Sequence, residues 1–228
     1  DPKPMPTSEE NLKKRPEAEN LLGIYSSLSN QSLEQSKKEF SGKNFSEFKE
    51  ELSQDIVQTI RAMKAIQETN GEIACSRYII SNNQTTMNVL QLYAMLKIVA
   101  FHEELTADVV PLFETVTDLI AAPKVMEELY TNPHYRAHLE NRNNRQTIML
   151  GFSDGTKDGG YLMTNWAIFK AKEALTTLSR QYDIDVIFFD GRGGPPARGG
   201  GKTHQFYASL GPTIEDKEIQ LTIQGQTI

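Results

Sequence analysis

The feature that most constrains the fold is a rhythm of apolar runs. They lie at 74–81 (ACSRYIIS), 108–114 (DVVPLFE), 147–152 (TIMLGF), 185–190 (DVIFFD) and 218–224 (EIQLTIQ), about 35 residues apart. Helical stretches separate them: Thr85 to about Glu104, segments running to about Asn144, Gly159 to Tyr182, and a short piece near Gln205–Leu210. Strands alternating with helices in this way are the mark of βα units in a parallel sheet. The runs are continuously apolar, as expected where both faces of a sheet are covered. Each ends in polar residues: Ser81-Asn82, Glu114-Thr115, Ser153-Asp154, Asp190-Gly191-Arg192 and Gln224. In βα barrels and open α/β sheets the C-terminal strand ends carry the chemistry. Five strands cannot close an eight-stranded barrel. The expected fold class is α/β, a partial TIM-type (β/α)8 barrel of about five parallel strands with additional N-terminal helices, cut from something larger.

Three regions follow. Residues 1–20 are rich in Pro, Lys and Glu without an apolar period and are expected to be a flexible polar segment. Residues 21–72 form a helical segment. Within it Phe48, Leu52, Ile56, Ile60, Met63 and Ile66 recur at spacings of three and four, and Asn70-Gly71 supplies the stop. Residues 73–228 are the partial βα-barrel catalytic region. Composition excludes several classes. No run of about 18 apolar residues is present, and the N-terminus has no apolar stretch of a secretory signal. The single cysteine, Cys75, cannot close an intramolecular disulfide and fits a reducing cytoplasm. A net charge of −6 argues against nucleic acid as a partner.

The stretch from Asp190 to His204, DGRGGPPARGGGKTH, packs six glycines, two arginines and a lysine between a strand and a helix. Glycines let backbone N–H groups approach an anion, and the following helix N-terminus adds positive potential. Arg192 and Arg198 add planar forks suited to carboxylate or phosphate. The bland alternative is a flexible surface loop, but three cations in one short loop of an acidic chain argue against it. The phosphate-loop pattern GxxxxGK(S/T) fails here, because its first glycine falls on Pro196, which has no N–H to offer. An RNA-binding RGG tail is also excluded, since those are long repeats and this is one loop between regular elements.

Glu114 and Asp154 each follow a strand, so in one parallel sheet both carboxylates sit at the same edge. Two hard oxygen ligands of this kind suit Mg2+. Equally, each residue can cap the helix that follows it. Lys157 can pair with Asp154 or face the anion. His102, within a helix, and His134 and His138, on or near one, are expected to be surface or packing residues. Trp166 and Phe169 are expected in the core, and His204 is the one histidine kept as a catalytic candidate.

MLGFSDGTKDGG (149–160), FFDGRGGPPARGGGKTH (188–204), VVPLFET (109–115) and, more loosely, RYIISN (77–82) occur in an order and at separations that resemble the phosphoenolpyruvate carboxylase family. That family's corresponding patterns are MLGYSDSxKDAG, FHGRGGxxGRGGxPxH, VPLFET and YVISM. The resemblance covers roughly residues 45–228. It implies a cytoplasmic lyase that fixes carbon dioxide, condensing phosphoenolpyruvate with bicarbonate to oxaloacetate and phosphate. The reaction would run with Mg2+ (or Mn2+), through carboxyphosphate and the enolate of pyruvate. It also implies a homotetramer at full length, an anaplerotic role, and allosteric aspartate or malate.

By the same resemblance Glu114 and Asp154 are the metal ligands. Arg192 and Arg198, with Gly191, Gly193 and Gly194, bind the substrate anions, and Lys157 is an electrostatic helper. Arg198 is also linked to the inhibitory site. Asp190 stands where the family pattern has a histidine that helps place bicarbonate, so it is expected either at the chemistry or holding an arginine in position. Pro195-Pro196-Ala197 should stiffen the loop. Further essential groups of the family lie outside this segment, and the chain alone is expected to be inactive. The alternatives are a Mg-dependent enzyme acting on another phosphorylated or dicarboxylate substrate, and a non-catalytic anion-binding module.

Overall fold

Strands form where the apolar runs lie: β1 (Arg77–Ile80), β2 (Asp108–Phe113), β3 (Arg145–Gly151), β4 (Asp185–Gly191) and β5 (Ile219–Leu221). This computed structural model describes residues 4–6, 8–15, 18–19, 22–23, 25–26, 32–191 and 202–222. Arg192, Gly193, Gly194, Arg198 and the stretch 195–197 lie outside the described residues, as does the end of the last apolar run. The sheet order is β1-β2-β3-β4-β5, and every neighbouring pair is parallel. Right-handed crossovers between sequential parallel strands place all connecting helices on one face. That is barrel-type winding, without the reversal of strand order found in doubly wound sheets. The chain is α/β, with a five-stranded all-parallel sheet compatible with part of a (β/α)8 barrel.

The chain divides into two units, Asp1–Cys75 and Ser76–Ile228. In the first, helices span Glu9–Lys13, Leu33–Phe40 and Phe45–Asn70. Ser32 and Gln35 cap the middle one reciprocally, through bonds of 3.2 and 2.8 Å. The long helix buries Phe48, Ile60 and Met63 as its apolar period demands, while Ile66 stays 41% exposed. It stops at Gly71, whose φ of +87° suits a residue without a Cβ. Tyr25, Phe40 and Phe48 meet edge to face in this unit's core.

In the second unit the crossover helices are Thr86–Val99, Val116–Thr131 with Pro133–Asn141, Phe152–Gly159 with Tyr161–Gln181, and Thr203–Ala208. The first ends at Val99, so His102 lies in a connection and is exposed. Trp166, expected in the core, is 60% exposed and stacks on Phe169. Phe152–Gly159 is a helix where the sequence reads as a loop, and Gly160 (φ +77°) separates it from the next.

Register fixes what each strand end shows. Phe113 pairs with Leu150, Leu150 with Asp190, and Gly151 with Gly191. Because side chains alternate along a strand, Glu114, Gly151 and Gly191 share one face and Phe113, Leu150 and Asp190 the other. The second face is the helix-covered one. Tyr135 of Pro133–Asn141 donates to Gln146 Oε1 at 2.9 Å, and Ile148, Leu150, Val186 and Phe188 are buried there.

Candidate functional site

Three successive strand ends converge at the C-terminal edge of the sheet. Asn82, just past β1, has φ +51° and donates its backbone N–H to Glu114 Oε2 at 2.7 Å. Glu114, just past β2, is half-buried. Asp154 lies in the first turn of the helix after β3. Burial pushes the Glu114 carboxyl above its ordinary pKa, the Asn82 bond draws it down, and the charges of Asp154 and Asp118 push it up again. A half-buried carboxylate whose proton affinity is raised by burial and by neighbouring carboxylate charge is a place where a cation is favoured.

Two glycines make this approach possible. A Cβ on Gly151 would lie 3.2 Å from Glu114 Cα, and one on Gly155 would lie 2.6 Å from Thr164 Cγ2 and 3.2 Å from the Glu114 carbonyl oxygen. Asp158 Oδ2 accepts from the Val116 N–H at 3.0 Å, tying the helix that carries Asp154 to the one that follows Glu114. Gly151 and Gly191 continue the row beyond Glu114 without side chains of their own; a Cβ at Gly191 would meet Met149 Cε at 3.0 Å, and one at Gly151 would meet Glu114 itself.

Lys157 Nζ lies 2.8 Å from Asp154 Oδ1, with both side chains exposed (76% and 51%). A pair in that setting contributes little in water and is readily exchanged. The donor set fits Mg2+, which takes one or two carboxylates and completes its octahedral shell with waters and substrate phosphate. Among the described residues no cluster of three or more His, Cys, Asp or Glu side chains gathers. The fit is therefore to a two-carboxylate site.

The structure thus brings Glu114, Asp154 and Lys157 together at one edge, with Gly191 on their face. It puts Asp190 on the other. That carboxylate is fully buried, 2.8 Å from Lys172 Nζ, and accepts from Tyr207 Oη at 2.7 Å. The expected arginine partner has its place taken, among the described residues, by a lysine. His204 is exposed in the first turn of Thr203–Ala208. Sequence reasoning missed Asn82 as a donor, and Asp158, Lys172 and Tyr207. A signal existed for Lys172, which continues the buried stripe Ile168, Leu175, Ser179 at helical spacing.

Comparison with known proteins bears on this edge. The family model described as phosphoenolpyruvate carboxylase matches residues 27–228. The chain belongs to the phosphoenolpyruvate carboxylase family. A phosphoenolpyruvate carboxylase of Synechococcus sp. is 37% identical over 183 residues, covering 78% of this chain and 17% of its own length. That of Nitrosomonas eutropha is 37% identical over 183 residues, covering 78% and 20%. That of Corynebacterium diphtheriae is 35% identical over 181 residues, covering 79% and 20%. The chain therefore spans about a fifth of the length of these phosphoenolpyruvate carboxylases.

Proposed function

We propose that the chain carries the metal-holding and anion-holding part of a phosphoenolpyruvate carboxylase. The observation that carries this reading is the convergence of Glu114 and Asp154, packed close by Gly151 and Gly155, at the C-terminal edge of a barrel-type sheet. Glu114, oriented by the Asn82 N–H, and Asp154 would hold Mg2+ or Mn2+. When bound, the metal offsets the negative charge of the phosphate and the enolate as a Lewis acid.

The chain's own residues do the rest of what this segment can do. Arg192 and Arg198 act as forks for phosphate and carboxylate and stabilise charge that develops as the phosphoryl group moves to bicarbonate. Lys157, exposed at the same edge beside Asp154, would add positive charge for the bound anion. Carbon dioxide released from carboxyphosphate is then captured by the enolate carbon, giving oxaloacetate and phosphate. On this reading the full-length protein is a cytoplasmic, tetrameric, anaplerotic lyase that responds to aspartate or malate. Among the described residues no helix is long and apolar enough to cross a membrane.

The test is a Mn2+ titration of this chain followed by electron paramagnetic resonance, then calorimetric titration with phosphoenolpyruvate. We expect one Mn2+ per chain, at least tenfold weaker binding in Glu114→Gln and in Asp154→Asn, and metal-enhanced binding of phosphoenolpyruvate. Unchanged Mn2+ affinity in both variants would remove the metal assignment. Preference for another phosphorylated or dicarboxylate ligand would favour a different Mg-dependent enzyme.

A further inference from the structure

Asp190 is an unusual residue to find where it is. Its carboxylate has no exposed surface, and Lys172, from the helix Tyr161–Gln181, has 3%. The Lys172 ammonium also lies 5.3 Å from the Phe188 ring and 5.5 Å from the Tyr207 ring. Tyr207 Oη donates to the same carboxylate at 2.7 Å, across a sequence separation of 17. The Asp190 carbonyl meanwhile accepts from Thr222 N at 3.1 Å, just beyond β5. One residue therefore ties together a helix, the strand end before the glycine-rich segment, the helix after it and the neighbouring strand's continuation.

We propose that Asp190, Lys172 and Tyr207 form an anchor that sets the spacing of the two stems of the glycine-rich segment. Asp190 is then a positioning residue for anion binding and makes no contact with the anion. The anion-binding role rests on the function proposed above; the anchor itself rests only on these contacts. Two arguments support it. The pleat turns Asp190 away from the face of Glu114 and Gly191, so it cannot share their ligand. And a buried carboxylate persists only beside a counter-charge and hydrogen-bond donors: Lys172 and Tyr207 both donate to its Oδ2, at 2.8 and 2.7 Å, while Oδ1 has no hydrogen-bond partner among the described residues. Lys172 and Asp190 are thus a matched pair. A histidine at 190, as in the family pattern, would take away the carboxylate that lies 2.8 Å from the Lys172 ammonium.

Tyr207→Phe removes one hydroxyl and keeps the fold. We expect amide exchange at Gly191 and across Thr203–Ala208 to speed up about tenfold. Phosphoenolpyruvate affinity, measured with Mg2+ present, should weaken about tenfold, while Mn2+ affinity at Glu114 and Asp154 stays within about twofold. Asp190→His should unfold at much lower denaturant, and Lys172→Met combined with Asp190→His should recover most of the loss. Unchanged exchange at the stems in Tyr207→Phe would overturn the anchor, whether or not the chain binds phosphoenolpyruvate. Unchanged phosphoenolpyruvate affinity despite faster exchange, or equal losses of Mn2+ and phosphoenolpyruvate affinity, would overturn the positioning role. Failure of the unmodified chain to bind phosphoenolpyruvate would count against the proposed function, and the exchange measurement would still decide the anchor.

Discussion

Gly155 shows how tightly the candidate metal edge is built. It is buried in the middle of a helix, where glycine is ordinarily about 1 kcal/mol worse than alanine. Yet a Cβ there would sit 2.6 Å from Thr164 Cγ2, and Thr164 is itself fully buried. Overpacking of this kind costs about 1–3 kcal/mol, which outweighs the propensity gain. We predict that Gly155→Ala destabilises the chain by about 1–2 kcal/mol in denaturant unfolding. Because the same Cβ presses on the Glu114 carbonyl oxygen, Mn2+ affinity should fall as well; a more stable variant with unchanged affinity would refute this.

At the scale of an element, the helix Pro133–Asn141 has a pH dependence written into it. Asn132 caps its start by accepting from His134 N and Tyr135 N, both at 3.1 Å. Its inner face buries Tyr135 and His138, and the imidazole lies 5.4 Å from the Tyr93 ring and 5.8 Å from that of Tyr135. Burial lowers the His138 pKa to about 4; Asp108 pulls it up, and Arg142 and Lys97 push it further down. The unfolded chain, with an ordinary histidine, takes up this proton first as pH falls. Stability carried by neutral His138 is therefore complete above about pH 6.5 and is lost progressively toward pH 4. The loss should reach on the order of 2 kcal/mol by pH 5. Unfolding curves at pH 7 and pH 5 check it, and His138→Phe should remove most of the difference between them.

At the scale of the whole molecule, the described residues form a sheet of five sequential parallel strands, where a closed barrel has eight. On the face away from the crossover helices, Leu112, Met149 and Phe189 form one row across three strands and are only half-buried. Together with a span of about a fifth of its relatives, this leads us to predict negligible carboxylation by the chain alone. An assay coupling oxaloacetate formation to NADH oxidation tests it; turnover at rates ordinary for enzymes, about 1–1000 per second, would refute it.

Much of this was readable in advance, for a local reason. Strands covered on both faces are continuous apolar runs, so their number, order and C-terminal ends can be read from hydropathy, as can Glu114, Asp154 and the glycine-rich segment that follow them. The helix Phe152–Gly159 could not be read, because SDGTKDGG carries the residues of a loop and is held helical by the close packing of Gly155 and Gly159 on Thr164 and Val116. Nor could the partner of Lys172: helical spacing marks the lysine as buried, but the carboxylate it donates to lies 18 residues later. Above all, sequence places Glu114 and Asp190 alike at strand ends. Which face each one shows depends on the pairing of Phe113 with Leu150 and of Leu150 with Asp190. A strand has a side-chain period of two, so one step along it turns a residue from the ligand face to the helix face. That parity is set between strands, and only the tertiary structure decides it.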